Sequence, residues 1–129
     1  MVGDGFDGTM PSNIENLRTM KLPNAENAFI ANEKIYGYCL SEEHIEGRHK
    51  ANVFRSVLGM TADDGAELIS AILAAILTNE AVFEKTINFG EMWRVDFPFI
   101  RNRREVVIRT AWIIRNEEDF PRLVSCFIL

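Results

Sequence analysis

The sequence predicts an α+β fold, with N-terminal helices packed on a C-terminal antiparallel meander of three to four strands. Two observations carry this. Apolar residues recur at helical spacing up to about Leu77, and from about Ala81 they alternate. Glycine and proline punctuate the second half at short intervals, as in strands joined by tight turns. Helices first and strands afterwards is the pattern of segregated layers.

In the helical half, Leu22-Pro23-Asn24-Ala25 reads as an extended lead-in followed by a turn. Asn32 is placed to cap a helix over Glu33–Leu40, with Ile35, Tyr38 and Cys39 facing inward. A second helix is expected over Arg48–Leu58, ended by Gly59 in the left-handed conformation. Thr61, with Asp64 three residues on, forms an acidic capping box for a third helix over Ala62–Leu77. Leu68, Ile69, Ile72, Leu73, Ile76 and Leu77 make its apolar face.

In the strand half, Val82–Ile87 precedes a glycine-containing turn at Asn88–Glu91. Met92–Ile100 then places Trp93, Val95, Phe97 and Phe99 on one side. Pro98 cannot donate to a ladder and belongs at an edge or bulge. After the charged turn Arg101-Asn102-Arg103-Arg104, Glu105–Arg115 lines one face with Val106, Ile108, Thr110, Trp112 and Ile114. Its other face carries Val107, Arg109, Ala111, Ile113 and Arg115. A polar loop, Asn116–Asp119, leads to a last strand over Arg122–Phe127.

The 129 residues suit one domain, placed at 21–129, behind a glycine- and aspartate-rich stretch at 1–20 that reads as a flexible tail. Met20 is a plausible second translation start. Net charge is −5, unevenly spread: residues 1–80 hold 6 Lys/Arg against 12 Asp/Glu, a net of −6. Residues 81–129 hold 8 against 7, a net of +1, so nucleic-acid contact would depend on a local basic patch. No basic-then-apolar leader opens the chain, and the apolar run Ile69–Leu77 is too short to span a bilayer. A cytoplasmic protein with no membrane contact is expected. Cys39 and Cys126 can bridge, but buried, reduced thiols are the simpler reading.

One run, His44-Ile45-Glu46-Gly47-Arg48-His49-Lys50-Ala51, gathers both histidines, a glycine, an arginine and a lysine. Metal-independent RNA cleavage needs a base for the 2′-hydroxyl, an acid for the leaving oxygen and cations for the phosphate. Histidine titrates near neutrality, so His44 is the acid/base candidate; the competing reading is a hydrogen bond to nearby backbone. Lys50 and Arg48, near a helix N-terminus, are phosphate candidates, against pairing with Glu42, Glu43 or Glu46. His49 reads as a surface residue. Arg109 sits among apolar neighbours mid-strand, so it either binds phosphate or bridges to Asp96. Ser125 and Arg122 are further hydroxyl and cation candidates. Trp93 and Trp112 read as core aromatics. Histidine and cysteine are not at zinc spacing, no phosphate loop or nucleophile elbow is present, and no cofactor is expected.

Several stretches together resemble a known group. They are Leu22-Pro23-Asn24-Ala25, Tyr38-Cys39-Leu40, His44 with Gly47-Arg48-His49-Lys50-Ala51, and Val53-Phe54 with Leu58-Gly59. Arg109-Thr110-Ala111-Trp112-Ile113 and Asp119 to Cys126 complete the set. Over Lys21 to Leu129 the chain resembles a bacterial "domain of unknown function" family, met as free-standing proteins and as C-terminal modules of polymorphic toxins. The family brings no established activity. Its helices-then-meander layout is similar to the barnase–EndoU–colicin–RelE class of metal-independent ribonucleases, an analogy of fold alone. The turn Arg101–Arg104 departs from the glycine such proteins often carry.

Two functions follow as expectations. One is a toxin-like ribonuclease using His44, Lys50, Arg109 and Ser125, with RNA as partner. The other is a non-catalytic module that binds a small protein partner, such as an antitoxin, in a two-gene cassette. A tight Arg109–Asp96 bridge would favour the module, an unpaired Arg109 the enzyme.

Overall fold

A computed structural model describes residues 20–129, so the flexible-tail reading for 1–20 lies almost wholly outside the described residues. A 3-10 turn at Ala25–Asn27 precedes α1, Asn32–Lys34, which runs on as a π-helical turn at Ile35–Cys39. Next come α2, Arg48–Leu58, and a 3-10 turn at Ala62–Asp64 leading into α3, Gly65–Ala75. Strands β1 Ala81–Ile87, β2 Gly90–Arg101, β3 Arg104–Arg115 and β4 Pro121–Ile128 follow as an antiparallel meander in that order. The α+β reading holds.

The first helix differs most from expectation. Ala31, not Asn32, is its N-cap, no side chain caps it, and regular α-helix lasts only three residues. The widened turn that follows holds Tyr38 and Cys39, and such turns are rare outside sites with a special geometric demand. At the third helix the capping box forms as expected: Thr61 accepts from the Asp63 amide and Asp64 accepts from the Thr61 amide at 2.9 Å. That helix ends at Ala75, short of the expected Leu77, with Ile76 as its C-cap, because Leu77 and Thr78 already bond three residues back in turn fashion.

The core lies between the helices and one sheet face. Ile35, Phe54, Leu58, Leu68 and Ile72 meet Val95, Phe97, Ile108, Trp112 and Leu123, all buried. Trp112 donates its indole N–H to Thr110 Oγ1 at 2.8 Å, and that hydroxyl donates to the Val95 carbonyl at 2.7 Å. A buried polar pair is thereby satisfied inside an apolar layer. Pro98 lies beyond the point where β1 stops pairing, since Ala81 opposes Val95, so β2 has an open edge there.

The basic turn between β2 and β3 has a structural task. Arg101 Nη1 and Asn102 Nδ2 both donate to the Leu58 carbonyl, at 2.6 and 2.8 Å, satisfying the C-terminal end of α2. Arg101 also pairs with Glu67 at 2.9 Å and Asp64 at 3.2 Å. Arg103, with φ 64°, contributes no such bond and occupies a conformation that suits glycine. Arg103→Gly is expected to raise stability by about 0.5–1 kcal/mol, read as a higher urea midpoint at unchanged slope.

Candidate functional site

Lys50 is the centre of the site. It projects from the first turn of α2 towards the edge strand β4, where its Nζ donates to Ser125 Oγ at 3.0 Å. The same ammonium lies 4.9 Å from the centre of the Phe127 ring and 5.4 Å from that of Tyr38. Among the described residues no carboxylate pairs with it; Glu42 pairs with Arg55 instead, at 2.8 Å. Two aromatic faces and a hydroxyl stabilise a cation without neutralising it.

A bulge aims these groups. Between Ala111 and Trp112 the register on β4 skips one residue, so Leu123 and Cys126, three apart, both face the core. Ser125 and Phe127 are left beside Ala111 and Arg109, towards the sheet's open face. A strict alternation read from the sequence would instead put Ser125 on the same side as Leu123.

His44 joins the same cluster through Tyr38, the two rings meeting edge to face with centres 4.8 Å apart. Its Nδ1 accepts the backbone N–H groups of Glu46 at 3.0 Å and Gly47 at 3.1 Å. The neutral ring therefore carries its proton on Nε2 and offers a donor outward. The backbone-bonded alternative for His44 is realised, and a role as base is correspondingly unsuited to this tautomer. Gly47 permits the arrangement, since a Cβ there would collide with the Tyr38 carbonyl oxygen. Gly47→Ala should cost about 1–3 kcal/mol and displace Tyr38, checked by urea unfolding and near-UV circular dichroism.

Arg109 stands one strand inward from Phe127 in the same cross-strand row. It is bound bidentately by Asp96 on β2, Nε to Oδ1 and Nη2 to Oδ2 both at 2.9 Å. That bond raises the guanidinium pKa further above its already high ordinary value. Asp96 lies 3.9 Å from Arg94 Nε, and Arg94 Nη1 reaches Glu84 at 2.6 Å. The ladder Glu84–Arg94–Asp96–Arg109 thus holds two cations and two carboxylates on the open face. It borders a cleft of about 300 Å³ whose lining includes Lys85, Met92 and Ala111.

Lys50 and Ser125 therefore touch, His44 is tied to them through Tyr38, and Arg109 is separated from Lys50 by Phe127. Arg122 plays another part: Glu118 grips it at 2.8 Å twice, between the rings of Phe29 and Phe120. Its guanidinium holds the Glu118 carboxyl below the usual range. Trp93 and Trp112 are buried core aromatics, as read. Tyr38, Phe127, Arg94 and Glu84 were not singled out for chemistry by the sequence. For the aromatics, the only signal was apolar character, which core residues share.

Fold and site together describe a small α+β meander domain with an aromatic-lined cation at one sheet edge. The chain belongs to the family described as Domain of unknown function (DUF6883), whose model matches residues 21–129. No curated protein and no solved structure matches it significantly. No helix among the described residues is long and apolar enough to cross a membrane.

Proposed function

We propose that this domain binds and cleaves single-stranded RNA, as a toxin-like ribonuclease that draws its base and cations from its own side chains. The observation that supports this reading is the order Arg109, Phe127, Lys50, Tyr38, His44 along one edge of the molecule. Cations alternating with rings suit a chain that alternates phosphates with bases. A phosphate presents the same two-oxygen fork as Asp96 and can replace it on Arg109. The released Asp96 carboxylate then takes the 2′-hydroxyl proton as the 2′-oxygen attacks phosphorus, Arg109 stabilises the pentacoordinate phosphate, and the P–O5′ bond breaks with the leaving oxygen protonated by solvent water. Lys50 holds the neighbouring phosphate, and His44 Nε2–H donates to the adjoining nucleotide. Ser125 keeps Lys50 in place. This moves the base role from His44 to Asp96. The toxin association rests on the family resemblance.

Purified full-length protein should cleave an unstructured RNA oligonucleotide, with chelator present, leaving 2′,3′-cyclic phosphate ends. Asp96→Asn should abolish cleavage while keeping or tightening RNA binding. Repeated inactivity of clean protein would end the ribonuclease reading.

The second reading, a non-catalytic module for a small protein partner, is favoured by the criterion set from the sequence: Arg109 is held in a tight bridge by Asp96, as expected of the module, and is not left unpaired, as expected of the enzyme. Under it a stoichiometric protein partner co-purifies, and Asp96→Asn changes partner affinity instead of RNA turnover.

A further inference from the structure

We propose that Cys39 and Cys126 form a redox pair, which a peroxide converts to a disulfide that repositions the Lys50 cradle. This does not depend on RNA cleavage. Both thiols are free and fully buried, one on the π-helical turn and one on β4 opposite Thr110. The Cys126 amide donates to Cys39 Sγ at 3.3 Å across 87 positions of sequence, so two remote segments meet at sulfur. Tyr38 precedes one cysteine and Ser125 the other, and both hold Lys50.

The electrostatics separate the two sulfurs into distinct roles. Hydrogen bonding from the Cys126 thiol lowers the Cys39 pKa against the opposing effect of burial. The Cys126 amide, the Lys50 charge and the Ser125 hydroxyl act in the same direction. Cys126 is pushed well up by that shared hydrogen bond and by burial. The Cys126 amide donates to Cys39 Sγ, so Cys39 is the sulfur whose thiolate is stabilised and attacks, and Cys126 is the resolving one.

The chemistry balances. Cys39 thiolate attacks one peroxide oxygen, the O–O bond breaks, hydroxide leaves, and a sulfenic acid forms. Cys126 loses its proton to that hydroxide, giving the first water. Its sulfur displaces the sulfenic oxygen as a second hydroxide, which a solvent proton converts to water. Two thiols are oxidised and one peroxide is reduced to two waters. Drawing the sulfurs to about 2.05 Å moves the backbone on either side, and with it Tyr38 and Ser125. Only an oxidant near the size of water can enter a buried site beneath Lys50, so hydrogen peroxide should act and oxidised glutathione should not.

The test treats the folded full-length chain with hydrogen peroxide, then alkylates under denaturing conditions and measures intact mass and peptides. The expected product is an intramolecular Cys39–Cys126 disulfide, with Tm raised by roughly 5–10 °C. Cys126→Ala should leave a sulfenic acid on Cys39 that dimedone traps. Lys50→Met should slow oxidation by roughly threefold or more by removing the charge near the thiolate. Thiols that stay fully alkylatable while a denatured control oxidises would overturn the proposal. Initial oxidation at Cys126, or a rate indifferent to Lys50, would do so too.

Discussion

Under the proposed ribonuclease function, Arg109→Ala is expected to lower RNA cleavage by about 10²–10³-fold, the usual effect of removing one preorganised charge stabiliser. Stability should change little. The Arg109–Asp96 pair is about one third exposed on each side, where an ion pair contributes about 1 kcal/mol or less. Asp96 would keep a weaker neighbour in Arg94, at 3.9 Å. Steady-state cleavage alongside thermal melting separates the two effects. A fall in Tm matching the loss of activity would make Arg109 a structural residue. Arg109→Lys should rescue poorly, since an ammonium cannot supply two parallel donors to phosphate.

Trp112→Ala is expected to destabilise the domain by about 3–5 kcal/mol, a large part of what holds a domain this size together. Trp112 is the largest fully buried side chain and lies in the layer between Thr110 and Leu123. Its removal leaves a cavity that the sheet cannot close, because the neighbouring strands are fixed by their ladders. Thr110 would keep its bond to the Val95 carbonyl, so the loss belongs mostly to packing. Thr110→Val makes the complementary case: it keeps the volume, leaves the buried indole N–H without an acceptor, and should cost about 1–3 kcal/mol. Urea titrations of both variants check the difference.

Helix and strand order was legible because long periodic segments carry it. The stripe of α3 and the alternation through β3 each have one plausible partner surface. Where local chemistry was ambiguous, reading failed. Asn32 has the right side chain for a cap, yet the chain turns into helix one residue earlier, at Ala31, and then widens into a π turn that no periodicity announces. The site was legible in part for the same reason. Lys50 and Ser125 could be named as residue types, but their contact across 75 positions depends on the β4 bulge. Tyr38 read as an inward-facing helix residue and Phe127 only as the end of the last strand. Their importance comes from where Lys50 ends, which only the tertiary arrangement fixes. The Arg109–Asp96 bridge, by contrast, followed from direct register opposition and was foreseeable from strand alternation.

The central claim is that one track, Arg109–Phe127–Lys50–Tyr38–His44, contacts a nucleic-acid strand. Titrating isotopically labelled protein with a 2′-deoxy oligonucleotide, which cannot be cleaved, tests it most directly. The account predicts chemical-shift changes concentrated at these five residues and at Asp96, weakening as salt is raised. Changes confined to other surfaces, or no saturable changes at low salt, would contradict it.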